Sequence, residues 1–394
     1  MSDEERPDSE DGVERIVRSA CADGARLDAA GGGSLSGYGR PRAGERRLST
    51  AALTGIVFYA PAEMTISARA GATLDDIEAA IAEHGQILPF EPMRPRALWG
   101  SNGAPTIGGM VATNLSGPRR VAAGAVRDGV LGVRIVNGAG QTIRCGGRVT
   151  KNVTGLDLTK LNCGANGTLG VVTEATLKLL PKPEAETTLV VAGLDGEQAV
   201  AAMTAALGSP FGVSGAAWLA PGMGEALSRT VLRLEGFADS VAYRVSRLRA
   251  LMQAHGETRT LEGDASHKVW RSVRDAEFLA APRERAAWRV SLAPSEAVGF
   301  VSRLGATALA HFLDWGGGLL WLATPETDEA VAAVRAALPP RKGHATLMRA
   351  SEAFRGRVAV FTPPSDLEMR LARGIKASFD PGGVLNFGRM YAGL

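Results

Sequence analysis

One stretch limits what this chain can fold into more than any other: Thr106–Asp128, reading TIGGMVATNLSGPRRVAAGAVRD. Gly108, Gly109, Ala112, Thr113, Ser116, Gly117, Ala122, Ala123, Gly124 and Ala125 leave it almost without side-chain bulk. Such a segment cannot build a core from its own side chains. It lets backbone approach closely, because glycine has no Cβ and reaches positive φ. Main-chain N–H groups need partners, and in a concave turn they form an anion cradle. Two readings follow: a phosphate-bearing cofactor held largely by main chain, or a tight packing crossover.

Two further segments share this texture. Gly31–Gly39 (GGGSLSGYG) holds five glycines and two serines in nine residues, just after the weak strand candidate Arg26–Ala30. It reads as a second anion loop or as a flexible linker, and closely flanking hydrophobic elements favour the loop. Cys163–Gly170 (CGANGTLG) is the third. A Rossmann unit would need G-x-G-x-x-G directly after a strand, and a P-loop G-x-x-x-x-G-K-[ST]. Neither pattern occurs, and Gly138-Ala139-Gly140 belongs to a hairpin tip.

The 394 residues exceed what one core usually serves, so two domains are expected. Hydrophobic residues at 45% and charged residues at 22% fit an ordinary globular chain. A formal charge of +3, with arginines scattered, gives no argument for nucleic acid. No apolar run is long enough to span a membrane, and the acidic start MSDEERPDSEDG does not read as a secretory signal. Cys21, Cys145 and Cys163 lie far apart, which supports neither disulfides nor an iron–sulfur or zinc site and makes a reducing cytoplasm the expectation.

Taken in order, residues 1–11 are expected to be a disordered tail. Residues 12–183 then form a first domain. It has a helix over Gly12–Gly24, strands at Gly55–Tyr59 and Thr65–Ala70, and a helix opened by the capping box at Thr73 and running to His84. His84 suits a helix C-terminus better than a catalytic base. Ile107–Asn114 reads as a short helix, Val130–Asn137 and Gln141–Cys145 as a hairpin, Leu158–Asn162 as a short helix and Val171–Leu180 as a long strand ended by prolines. Residues 184–350 then run twice through strand–helix–strand–strand–helix–strand, the ferredoxin-like unit, with an extra helix over Asp264–Leu279 between the rounds. That order predicts an antiparallel sheet with helices on one side. Residues 351–394, with a helix over Asp366–Ala377, are expected to return to the first domain.

GGGSLSG (31–37), LPFEP (88–92), TIGGMVATNLSG (106–117), GAVRDGVLGVRIVNGAG (124–140), KNVTGLDLTKL (151–161), GANGTLGVVTEATLKLLP (164–181) and FDPGGVLNFGR (379–389) together resemble the FAD-binding domain of the vanillyl-alcohol oxidase / p-cresol methylhydroxylase (PCMH) superfamily. Gly-Ala-Val-Arg-Asp and the Asp314–Trp321 run DWGGGLLW point, within it, to the small FAD-binding subunits of bacterial glycolate oxidases. The resemblance implies an α+β fold: a two-subdomain PCMH-type FAD domain with the dinucleotide buried between the halves, plus a ferredoxin-like cap over the flavin. It assigns the pyrophosphate to Gly31, Gly32, Gly33, Ser34 and Gly37. Ile107, Gly108, Gly109, Thr113, Asn114 and Gly117 would line the pyrophosphate and ring region. Gly167, Gly170, Val171 and Val172 would bed the adenine half, with Pro89 and Asn386 near the ring. No histidine lies near Gly31–Gly39, so FAD is expected to be non-covalent. The His-x-Gly-Asp-Gly-Asn-x-His motif of the larger sister subunit is missing, and Asn386-Phe387-Gly388 stands where relatives have Asn-Pro-Gly.

The implied function is oxidation of a small 2-hydroxy acid such as glycolate. Electrons would pass to a separate iron–sulfur subunit, in a complex that also holds the larger FAD-linked sister subunit. The expected location is cytoplasmic, or peripheral on the inner membrane face through those partners. The alternative is a non-catalytic FAD-binding structural or electron-relay subunit of the same complex. Such chemistry needs an arginine for the carboxylate and a base for the hydroxyl proton. The sequence singles out neither. Arg289, Arg349 and Asp314 are candidate cap residues facing the ring, with a solvated or structural role the favoured reading for each, while Trp315 and Trp321 read as core residues rather than flavin shields.

Overall fold

The computed structural model describes residues 4–41, 43–149, 155–340 and 342–394. The start of the KNVTGLDLTKL motif, residues 151–154, lies outside them. The first half of the chain is built on a five-stranded antiparallel sheet in the spatial order Ile56–Ala60, Thr65–Arg69, Val171–Lys178, Val130–Val136, Thr142–Gly146. Ile66, Ala68, Val133, Ile135, Ala175 and Leu177 alternate into one core with Leu74, Ile77 and Ile81 from the helix Leu74–Ala82, the period-2 and period-3.6 patterns meeting face to face. Beside it stands a small parallel sheet of Glu4–Glu5, Arg46–Ser49 and Leu27–Ala30. The helix Glu10–Asp23 packs Val13, Val17 and Ala20 into a core shared with Leu27 and Leu48.

Over residues 4–11 this corrects the expectation of a disordered tail over 1–11; residues 1–3 lie outside the described residues. Glu4–Glu5 pairs with Arg47 and Leu48, and the helix begins at Glu10. Of the acidic residues that made this stretch look solvated, Glu5 and Glu10 have partners across the fold. Glu5 takes the Arg46 guanidinium at 2.8 Å, and Glu10 takes Arg134 and, at 2.6 Å, the Thr173 hydroxyl. The strand Arg46–Ser49 escaped notice because its two arginines break the apolar alternation.

The second half forms one eight-stranded sheet in the order Thr258–Glu262, Ala185–Ala192, Arg229–Gly236, Val213–Leu219, Ala310–Asp314, Leu319–Thr324, Ala286–Leu292, Gly343–Arg349, antiparallel throughout. Each half of that order is a ferredoxin-like unit, and the second mirrors the first. The units join along their second strands through only Trp218–Leu313 and Leu219–Phe312. The extra helix Gly263–Arg274 lies against the first unit, where Thr188 Oγ1 meets Ser266 Oγ at 2.6 Å and accepts the Trp270 indole N–H at 2.7 Å.

The tail crosses back. After the helices Glu352–Arg357 and Asp366–Phe379, Leu385 bridges to Leu27 in parallel. Buried Asp380 accepts the Val384 and Leu385 N–H groups and, at 2.6 Å, Lys376 Nζ, which also donates to the carbonyls of Thr168 and Leu385. Three acceptors around one buried ammonium hold the turn that aims Asn386.

Candidate functional site: a glycine-walled cleft and the domain seam

Three chain segments wall a cleft that is open to solvent. The first wall is the loop Gly31–Ser36, which follows the strand Leu27–Ala30, with Tyr38 behind it. A Cβ on Gly31 would sit 2.4 Å from Thr106 Oγ1, and one on Gly32 would sit 2.3 Å from the Ala104 carbonyl. Both glycines let this loop lie directly on residues 104–106. Gly33 differs: its φ is +83° and nothing lies within 4 Å of its Cβ position, so it presents bare backbone to open space.

The second wall is the helix Ile107–Thr113, capped by the Thr106 hydroxyl, which accepts the Gly109 N–H at 3.3 Å. Gly108, Gly109 and Thr113 line the cleft; a Cβ on Gly108 would meet Ala70 at 2.8 Å. The third wall is Asn166, Gly167, Gly170, Val171 and Val172, closed by Asn386 from the tail. No lining residue is acidic, and Arg389 adds a cation. A long cleft of small residues, main-chain groups and no carboxylate suits a dinucleotide with a diphosphate, so the residues present fit FAD. Among the described residues no cluster of His, Cys, Asp or Glu could hold a metal ion.

Of the residues singled out from sequence, five stand elsewhere. Gly37 lies under the Trp99 ring, 2.8 Å from its would-be Cβ. Pro89 borders an outer groove beside Arg119 and Phe237. Ile107 is buried in the first-domain core. Asn114, at φ 53°, ends the helix and accepts the Arg127 N–H at 3.0 Å. Gly117 packs against Glu91, whose carbonyl would be 2.7 Å from a Cβ. The small-residue stretch thus divides: its beginning lines the cleft, and its continuation is the packing crossover. Sequence reasoning passed over Thr50, Thr106, Ala112 and Arg389. Of these only Thr106 left a signal, as a threonine directly before a helix.

Past the crossover the first domain meets the cap sheet through buried charge. Arg233 is 1% exposed and grips Glu91 with two bonds, 2.8 and 2.9 Å, while Arg119 bonds Glu235 at 2.7 and 3.1 Å. Burial works against the Glu91 carboxylate, but the Arg233 and Arg119 charges outweigh it and hold its pKa at about 2. Next along the seam, buried Asp314 accepts the Trp315 N–H at 2.7 Å. Burial pushes its pKa up to about 7. Trp315 has φ 54°, and its indole N–H reaches the Gly117 carbonyl at 3.1 Å. Tyr38 lines the cleft, and the Arg289 charge acts on its hydroxyl.

The remaining candidates sort by their contacts. Arg349 donates to the carbonyls of Leu279, Ala280, Pro282 and Arg285, which fixes a loop and leaves it structural. Trp321 is buried and stacks on Phe312. His84 packs edge-on to Tyr59 and does not line the cleft.

A family model described as FAD binding domain matches residues 5–146. The chain is 35% identical over 380 residues, 96% of each sequence, to glycolate oxidase subunit GlcE of Escherichia coli (strain K12). It is 39% identical over 127 residues, 32% of this chain and 26% of the other, to glycolate oxidase subunit GlcD of Bacillus subtilis (strain 168). Among solved structures, alkyldihydroxyacetonephosphate synthase superposes with a TM-score of 0.69 at 16% identity, over 98% of this chain and 76% of that one; this is likeness of fold.

Proposed function

The chain belongs to the family of glycolate oxidase subunit GlcE and is an FAD-binding oxidoreductase subunit acting on a CH–OH donor; on that premise we propose that the glycine-walled cleft holds FAD, non-covalently, and that the subunit oxidises a small 2-hydroxy acid such as glycolate. The observation that supports this most directly is the cleft itself, with Gly33, Gly109 and Gly167 on three separate segments and no acidic residue in its lining. When bound, FAD supplies the hydride-accepting ring. The protein's part is to hold the diphosphate with main-chain N–H groups, keep the ring under the cap sheet and exclude water from the seam.

Relatives named as subunits of an oxidase imply a multi-subunit complex. Within it, electrons leaving the flavin would pass to an iron–sulfur subunit, with the larger FAD-linked subunit as neighbour. Among the described residues no helix is long and apolar enough to cross a membrane; a cytoplasmic or peripheral location is part of the same reading. The relatives' names do not favour a purely structural or relay role.

The test is an absorption spectrum of the purified chain, before and after acid release of the cofactor, followed by anaerobic glycolate. A flavin band that is released by acid and bleached by glycolate is the expected result. A colourless protein would refute the cofactor assignment, and an unresponsive flavin would refute the catalytic one.

A further inference from the structure

Two guanidiniums from different domains rest on one indole. The Arg120 guanidinium carbon lies 4.3 Å from the Trp315 ring centroid, and that of Arg289, on the cap strand Ala286–Leu292, lies 4.8 Å from it. The indole cannot swing away, because its N–H is bound to the Gly117 carbonyl and the Trp315 backbone N–H to Asp314. The neighbouring seam arginines have carboxylate partners: Arg119 with Glu235, Arg233 with Glu91. Among the described residues Arg120 and Arg289 have none. Arg289 Nη2 is buried without any hydrogen-bond partner.

Among the described residues no carboxylate forms an ion pair with either guanidinium. Asp128 acts on Arg120 and Asp314 on Arg289 only through space; Asp314 is buried, spends an oxygen on the Trp315 N–H, and is pushed up to about 7. Tyr38, the group that links Arg289 to the cleft, is pushed up to about 12 by burial and stays uncharged at neutral pH. Burial and the Arg120 charge both weaken the hold of Arg289 on its proton, down to about 10, without removing it. A buried guanidinium lacking a counter-ion is an unfavourable arrangement, and the partner that suits its planar fork is a carboxylate.

We propose that Arg289 and Arg120, stacked on the Trp315 indole where the cap adjoins the cleft at Tyr38, form a subsite for the carboxylate of a small organic acid, with Arg289 Nη2 as its principal donor. The proposal rests on the functional reading above and adds to it the residues that recognise the substrate's charge. The Trp315 ring and its bonds to Asp314 and Gly117 position the two guanidiniums.

The test titrates oxalate, a two-carbon carboxylate without an oxidisable C–H, into the flavin-loaded chain by calorimetry, with uncharged glycolamide as control. Wild type, R289Q, R289K and R120Q are compared, and flavin content is measured in each. Expected is oxalate binding weakened at least about tenfold in R289Q, as for loss of a bidentate charge-assisted contact. R289K should recover part of it, R120Q should lose several-fold, flavin content should not change, and glycolamide should be indifferent to all three. Because Arg120 is exposed, R120Q keeps the test open should R289Q fail to fold. Wild-type oxalate affinity in both glutamine variants overturns the proposal. So does loss of flavin in R289Q with R120Q unchanged, which would pair Arg289 with the cofactor. Flavin-loaded wild type that binds no oxalate overturns the subsite and leaves the FAD assignment standing, whereas a flavin-free wild type sinks the reading beneath it.

Discussion

The side-chain amide of Asn386 donates to the carbonyl of Asn166 at 2.8 Å, although 220 residues separate them. Its Oδ1 accepts the Ala29 N–H at 2.7 Å and its Nδ2 also donates to the Ala29 carbonyl at 3.3 Å. One asparagine therefore ties together two of the cleft's walls and the tail that closes it. Removing three bonds from a nearly buried site should cost about 2–3 kcal/mol, at roughly 1 kcal/mol each. Asn386→Ala is expected to lower the melting temperature by several degrees and to release flavin at lower denaturant than global unfolding; coincident release and unfolding would show that the tie serves stability alone.

Gly108 and Gly109 are adjacent but answer to different constraints. A side chain at Gly108 would run into Ala70, whose Cβ is 2.8 Å away, so Gly108→Val should destabilise the first domain by about 1–3 kcal/mol, as overpacking does. At Gly109 the nearest atoms are the flexible end of Leu35 at 3.2 Å and the Thr106 hydroxyl at 3.4 Å. Gly109→Leu should fold and yet retain no flavin. Circular dichroism together with flavin content separates the two, and equal flavin in Gly109→Leu and wild type would remove this position from the cofactor's space.

The Glu91–Arg233 pair should make the seam acid-labile. The folded Glu91 pKa of about 2 lies below its ordinary 4.5. Its stabilisation is therefore complete above pH 4.5 and lost as pH falls through that window toward 2. Glu91→Gln should flatten stability against pH in this range. It should also cost about 3–5 kcal/mol at neutral pH, because Arg233 is left buried with half its partners. Chemical denaturation at stepped pH measures both.

Asp314 carries the opposite sign. Burial raises its pKa from 3.8 to about 7, so the protonated form is the one the fold prefers. Its contribution is fullest below pH 3.8 and declines as pH rises through 7. Asp314→Asn keeps an oxygen to accept the Trp315 N–H while removing the titration. It should flatten the loss of stability between about pH 4 and 7, with little change below pH 4. An unaltered pH profile would show that Asp314 is already ionised in the folded protein.

The local sequence determined the units. Alternating apolar residues at Thr65–Arg69 and Val171–Lys178 and the capping threonine at Thr73 each act within a few residues, and the elements appeared where those signals lie; the expected strand to Leu180 instead ends at Lys178, and Pro181, read as its stop, pairs with Gln86 in a short strand of its own. The twofold strand–helix–strand–strand–helix–strand order likewise carried the cap, because connection lengths leave few ways to pair such strands. What tertiary structure decided was the role of residues whose meaning lies in a distant partner. The acidic start reads as a solvated tail until Arg46 and Arg134 stand opposite it. Gly37 and Gly117 look like their neighbours Gly33 and Gly109, yet they are small for Trp99 and Glu91, whereas Gly33 and Gly109 line the cleft. Arg289, Arg233 and Arg349 look alike on paper. Only the packed seam gives one a carboxylate, surrounds another with carbonyls and leaves the third with an unpartnered buried nitrogen. Short-range signals set secondary structure because backbone geometry is local. Charge pairing, close approach and the shape of an opening depend on what lies across space, which chain order does not record.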